Sequence, residues 1–318
     1  MVLAYLFTVL KHMIYGASVY FTSELSASAD VLDILALRFL MSFAVLYLLK
    51  TTGILKIKVG LRDIFRPTER HRFTVSLVLT ALFEPLLYMV LETWGISLTT
   101  GITAGVILSL RPVTGCLFEA VFLKERTTLL QKFFLGLGII GVVYIAVNTN
   151  SSTGKDTPLG IFCLVLAVVC GSLYAVFSRK SSSHFSAFEI TYFSSLLAAA
   201  VFNFANILRH LIVGDLSGYF APYFDRENMI GFIFLAIIST IIATSMNNYA
   251  VSKLQVTTVS AFGGLSTLVT IAIGCLVGGE QLYSFHWIGL SLILIHMIGV
   301  SCISIRKAKK KALAAETA

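Results

Sequence analysis

Ten runs of about twenty mainly apolar residues fill this chain almost from end to end, and that length is what a helix needs to cross a bilayer. They fall at about 2–22, 30–49, 73–93, 97–123, 130–148, 158–178, 186–213, 229–251, 255–278 and 285–305. The 318 residues are 57% hydrophobic and 13% charged, against about 25% charged in an ordinary soluble domain. A water-soluble fold would lack the polar groups to cover its surface, whereas lipid-facing positions can stay apolar. No stretch between the runs reaches the roughly 50 residues of an independent domain. The sequence therefore predicts an all-α membrane protein of ten transmembrane helices. The start is read as a retained first helix. Ala27-Ser28-Ala29 imitates a cleavage site, but no positive charge precedes the apolar run and Lys11-His12 interrupts it.

Basic residues orient the chain. With a cytoplasmic N-terminus, 18 of the 24 Lys and Arg residues fall on the inner side and only Lys155, Arg209 and Arg226 on the outer side. Lys11, Arg38 and Arg111 lie within spans. This bias predicts both termini inside and accounts for the net charge of +8 without a nucleic-acid partner. The five cysteines, Cys116, Cys163, Cys170, Cys275 and Cys302, are scattered in apolar runs. They read as small core residues, and neither a disulfide framework nor a metal site is expected.

The chain also repeats. Glu125 follows the fourth run and Glu280 the ninth, 155 residues apart. At that offset Ser97 meets Ser252, Thr103 meets Thr258 and Leu110 meets Leu265. Each time the layout is a tight hairpin, a small-residue span, a glutamate and a last span. Two units of five helices result, 1–148 and 158–305, with a linker loop at 149–157 and a basic cytoplasmic tail at 306–318. Five is odd, so the second unit is expected upside down relative to the first. Inverted repeats are a frequent construction of secondary transporters, with the solute site near the midplane.

Leu110-Arg111-Pro112-Val113, Leu123-Lys124-Glu125-Arg126, Gly136 and Gly141-Val142 resemble the EamA repeat of the drug/metabolite transporter superfamily. So do Ser252-Lys253-Leu254, Glu280, Ile288-Gly289 and Ile298-Gly299-Val300 in the second unit, and Arg38-Phe39 in the second helix. The family's second proline is Thr267 here. The resemblance spans about 5–147 and 159–305. It implies ten helices, cytoplasmic termini, a cavity between the halves and transport of small metabolites, without a cofactor.

Charge inside a span costs about 2.5–3.5 kcal/mol per group on insertion scales, so each such residue needs a reason. Lys11 lies mid-helix with Tyr15 one turn on. Glu84 lies mid-helix, and Tyr88 and Glu92 continue its face. Arg111 lies mid-helix beside Pro112. Two readings stand. In one, Lys11, Glu84 and Arg111 form a structural ion cluster that locks the first, third and fourth helices. In the other they form a site for a charged or zwitterionic, amino-acid-like solute. There Arg111 or Lys11 holds a carboxylate or phosphate, and Glu84 holds an amine or a coupling proton. Tyr174, Asn247 and Ser266, the last opposite Arg111 at the repeat offset, complete the candidate cavity. Arg38 is expected to pair with Asp33, Glu189 or a lipid headgroup. Asn247 and Asn248 are also read as bonding to a neighbouring helix. Pro112 is read as a kink that frees the Leu108 carbonyl. Gly101 and Gly105 are read as a helix-packing site, and Glu125 and Glu280 as loop caps.

The competing classes are a membrane-embedded enzyme and a channel or permease subunit. The chain has no HExxH, no aspartate-rich diphosphate motif and no Walker motif, and His12 and His296 are isolated. A secondary carrier is the reading these features favour, with a small solute and the lipid bilayer as partners and a proton or counter-substrate as the coupling species.

Overall fold

The computed structural model describes residues 1–57, 71–124, 128–153, 156–279 and 283–316. Glu125 and Glu280, expected to cap loops, lie outside the described residues. Helices follow one another throughout: α1 (Val2–Ser28), α2 (Val31–Thr51), α3 (Val75–Ser97), α4 (Gly101–Phe122), α5 (Leu129–Thr153), α6 (Pro158–Ser181), α7 (Ala187–Val213), α8 (Asn228–Lys253), α9 (Val256–Leu276) and α10 (Ser284–Glu316). Among the described residues nine of these are long and apolar enough to cross a membrane. In α5 the apolar part, Leu129–Ile145, is shorter. Short helical turns at Ser217–Phe220 and Ala221–Phe224 join α7 to α8.

Packing follows the two units. The second, fourth and fifth helices of each unit pack on their counterparts, as α2 on α7, α4 on α9 and α5 on α10. The first helix of each unit packs on the third of the other, as α1 on α8 and α6 on α3. Close approach depends on small residues. A Cβ built on Gly105 would lie 3.0 Å from the Thr270 side chain, so Gly105 of α4 serves close packing against α9 within the chain.

Four spans are interrupted, and these interruptions position the site. Glu84 in α3 has extended backbone angles (φ −146°, ψ 119°). Pro85, next in sequence, has no N–H for the helical ladder. In α8 the turns widen to a π-helix over Phe234–Ala243. There the hydroxyls of Thr240 and Thr244 donate to carbonyls five residues back, Leu235 (2.8 Å) and Ser239 (3.4 Å). The fourth span breaks between Leu108 and Arg111, with Pro112 in the first turn of the following helix. Pro112 thus starts a new helix segment where a kink was expected. In α9 the break is at Phe262, between Val256–Ala261 and Gly263–Leu276. No proline marks that break; Gly263 and Gly264 follow it.

Two expectations need correction. Arg38 pairs with neither Asp33 nor Glu189. Its Nε donates to Thr240 Oγ1 (2.8 Å) and an Nη to Ser239 Oγ (3.2 Å), both in α8. Asp33 instead accepts from Asn206, Arg209 and His210 of α7, and Glu189 closes a capping box with Ser186. The cysteines are not uniformly core residues: Cys116 and Cys163 are buried, and Cys302 is exposed on α10.

Candidate functional site

The interruptions of α3, α4, α8 and α9 face one another around a central cavity. It is lined by Tyr15, Ser18 and His12 of α1, Arg38 of α2, Glu84, Tyr88 and Glu92 of α3, and Leu108 and Arg111 of α4. From the second unit come Ser239, Gly263, Ser266 and Thr270. The cavity is small, about 40 Å³. That holds a few waters at most. A metabolite needs the cavity to widen.

Within it the polar groups form three sets. Tyr88 donates its hydroxyl to Glu92, and the Arg111 guanidinium lies over the Tyr88 ring, 4.3 Å from its centre. Arg38 is held by Ser239 and Thr240 as above. Glu84 is 5% exposed, and its Oε2 has no hydrogen-bond partner among the described residues. Arg111 Nε is likewise buried without a partner. No ion pair within 4.0 Å joins Glu84 to Arg111, Lys11 or Arg38 among the described residues. Arg111, Lys11 and Arg38 each act electrostatically on Glu84, but none of them lies within ion-pair distance of it.

Of the candidates read from sequence, Tyr15, Glu84, Tyr88, Arg111 and Ser266 line this cavity. Lys11, Asn247 and Tyr174 do not. Lys11 donates to Asn247 Oδ1 (2.6 Å), joining α1 to α8. Tyr174 is fully buried and donates to Asn248 Oδ1 (2.6 Å). Asn248 also accepts from Ser178 (2.7 Å) and donates to Thr191 (3.0 Å). These contacts are structural ties between α6, α7 and α8.

Sequence reading missed two carboxylates that close the ends of the fourth and ninth helices. Glu119, 2% exposed, lies near the end of α4. It accepts from the backbone N–H of Val256 (2.6 Å) and Thr257 (3.0 Å), from the Thr257 hydroxyl, and from Arg179 of α6 (2.9 Å). It thereby caps the start of α9. At the other end of α4, Asp156 accepts from Thr100 N (2.7 Å) and Thr103 Oγ1 (2.6 Å). The Glu119 contacts run between units, and the Asp156 contacts tie the linker loop to the first unit. Thr103 and Glu119 stand about 24 Å apart along a helix, with Gly105, Leu108 and Arg111 of the cavity between them. Glu119 had a signal, being charged inside an apolar run. Asp156 had none.

The description "EamA-like transporter family" matches this chain twice, over residues 2–147 and 158–302. The chain belongs to the EamA-like transporter family. It is 28% identical over 308 residues to a Bacillus subtilis (strain 168) protein described as "Uncharacterized transporter YcxC", covering 97% of this chain and 95% of that one. A solved protein crystal structure superposes with a TM-score of 0.68, covering 95% of this chain and 98% of its own at 17% identity. That identity carries the fold alone. The EamA-like family member described here is an integral, multi-pass membrane transporter, consistent with its nine long apolar helices.

Proposed function

We propose that this EamA-like protein is a secondary carrier for a small solute bearing a carboxylate or phosphate, free or as part of a zwitterion, and that it works by alternating access between two inverted halves. The observation that carries the reading is the pair of unfilled buried groups, Glu84 Oε2 and Arg111 Nε, in one cavity between the units. Leaving a buried polar atom unpaired costs about 1–3 kcal/mol, more when it is charged. A solute that binds there recovers that cost. Arg111 is the anchor for the anionic group, in the planar geometry that suits carboxylate and phosphate. Tyr15, Tyr88, Ser239 and Ser266 complete the wall, and Glu84 is the coupling group.

The two carboxylate clamps supply the gates. Asp156 of the linker holds the fourth helix at one end of the cavity, and Glu119 holds the ninth at the other, joining one unit to the other. Opening one clamp while the other stays closed gives access from one side at a time. The bias of 18 inner basic residues against three outer ones supports cytoplasmic termini, with Glu119 on the inner side.

The test is counterflow in liposomes holding the purified protein. A thermal-shift screen of amino acids, organic acids, phosphates, nucleosides and amines selects the solute first. Saturable uptake of labelled solute against an internal pool supports the carrier. Unsaturable ion current, or product formation without transport, refutes it.

A further inference from the structure

His210, in the last turns of α7, is a buried titratable group outside the central cavity. Both of its ring nitrogens meet acceptors. Nε2 donates to Asp33 Oδ1 of α2 (2.8 Å), and Nδ1 donates to the backbone carbonyl of Asp215 (2.7 Å). Asp215 begins the short segment, 215–224, that leads from α7 toward α8. We propose that this segment is a strap and that His210 is its pH-sensitive latch, closed in the imidazolium form and released when one proton leaves.

A neutral imidazole has one N–H and one lone pair, so it satisfies only one of these two acceptors. A carbonyl oxygen never donates, which fixes a hydrogen on Nδ1. Asp33 is fully engaged as an acceptor, since Asn206 Nδ2 donates to Oδ1 (2.9 Å) and Arg209 Nη1 to Oδ2 (3.0 Å). A hydrogen therefore also lies between Nε2 and Oδ1. The pair holds one proton more than a neutral imidazole and a carboxylate hold apart. When that proton leaves, the remaining N–H stays on the carboxylate, because a charge-assisted bond is about twice as strong as one to a neutral carbonyl. Nδ1 then turns its lone pair toward the Asp215 oxygen, and an attraction becomes a repulsion.

Among the described residues, three elements face the ring. From α2 comes Asp33, and Arg209 ties Asp30 to the same cluster. From α7 come Arg209 and Asn206. From the strap come Asp215, whose carboxylate accepts instead from Ser217 and the Gly218 N–H, and Tyr219, whose ring centre is 5.5 Å from that of His210. Beyond the latch, the Tyr219 hydroxyl donates to Asn203 and the Tyr223 hydroxyl to the Leu37 carbonyl. Leu37 precedes Arg38, which lines the central cavity. The strap is thus fastened one residue from the cavity wall, and its release loosens α2 there. That consequence for transport rests on the carrier reading; the latch does not.

Hydrogen–deuterium exchange by mass spectrometry on the full-length protein in nanodiscs reads the strap directly, with peptides from 215–224 corrected at each pH for the intrinsic exchange rate. Protection of the strap is expected to fall about tenfold between about pH 5.5 and about pH 9, on either side of the ordinary imidazole range, as one hydrogen bond from a charged donor is lost. Melting profiles confirm the fold at both. His210→Leu, which holds no proton, is expected to show the low protection at both pH values. Equal protection of the parent at the two overturns the latch, as does a pH-dependent loss that persists in His210→Leu. If that variant does not fold, the parent's pH comparison decides alone. Strap release that leaves counterflow unchanged over the same range keeps the latch and removes its link to the cavity. Latch-dependent protection in a protein without counterflow sinks the carrier reading alone.

Discussion

The two units contribute different chemistry to one cavity. Displaced by 155 residues, Glu84 of the first unit falls on Ser239 of the second, and Arg111 falls on Ser266. All four line the same space. Lys11 and Arg38 fall on Leu166 and Phe193, both apolar. The first unit thus holds the ionisable groups, and the second presents hydroxyls and glycines. Helix packing and helix breaks match between the two segments, while the charged groups lining the cavity come from the first.

The comparison is broken most directly by exchanging chemistry at the paired positions. Glu84→Gln and Arg111→Gln are each expected to reduce counterflow more than about a hundredfold, because each strips a charged contact from the solute or its coupling group. Ser239→Ala and Ser266→Ala are expected to cost about fivefold or less, a neutral hydroxyl contact being worth about 1 kcal/mol. Equal losses at the serines and the charges would erase the asymmetry.

The clamps sharpen it next. Glu119→Gln weakens bonds to the start of α9, and Asp156→Asn weakens those to the start of α4. Each is expected to lower stability by about 1–3 kcal/mol, read in a melting profile. The informative signature is sidedness. A cysteine at Ser266, in a background lacking the five native cysteines, is expected to become more reactive toward a membrane-impermeant thiol reagent from the cytoplasmic side with Glu119→Gln. With Asp156→Asn it is expected to do so from the opposite side. The same side for both would remove the clamps as gates.

A smaller effect is expected at Gly171 of α6. A Cβ there would lie 3.0 Å from the Arg111 guanidinium. Gly171→Ala is therefore expected to push Arg111 from its place over Tyr88 and raise KM about fivefold in counterflow, an overpacking cost of about 1 kcal/mol. The smallest is Cys302→Ala on the exposed face of α10, expected within about 0.5 kcal/mol of the parent in stability and unchanged in transport.

The spans were legible because apolar length is a one-dimensional property, and Glu84 and Arg111 were legible because charge in a span needs a reason. Rotation about a helix axis is not one-dimensional in the same way. Lys11, Asn247 and Tyr174 sit at plausible depths, yet their side chains meet each other's helices and not the cavity. The π-helical stretch of α8 contributes to this. It shifts the facing of every residue beyond it, and nothing in Phe234–Ala243 announces it. Charge complementarity points Arg38 toward acidic partners or a headgroup, whereas its serine and threonine partners in α8 come close only after folding. Asp156 lay in a loop, where a carboxylate needs no explanation until the helix it caps is seen.

The central claim is that Glu84 and Arg111 are placed for a ligand and not for each other. The double variant Glu84→Arg with Arg111→Glu keeps the charge sum and reverses its direction. Assayed by counterflow in liposomes beside its melting profile, it is predicted to fold and remain inactive, since the anion anchor and the coupling carboxylate have traded places. Counterflow restored to the parent rate would show a purely structural pair and contradict the account.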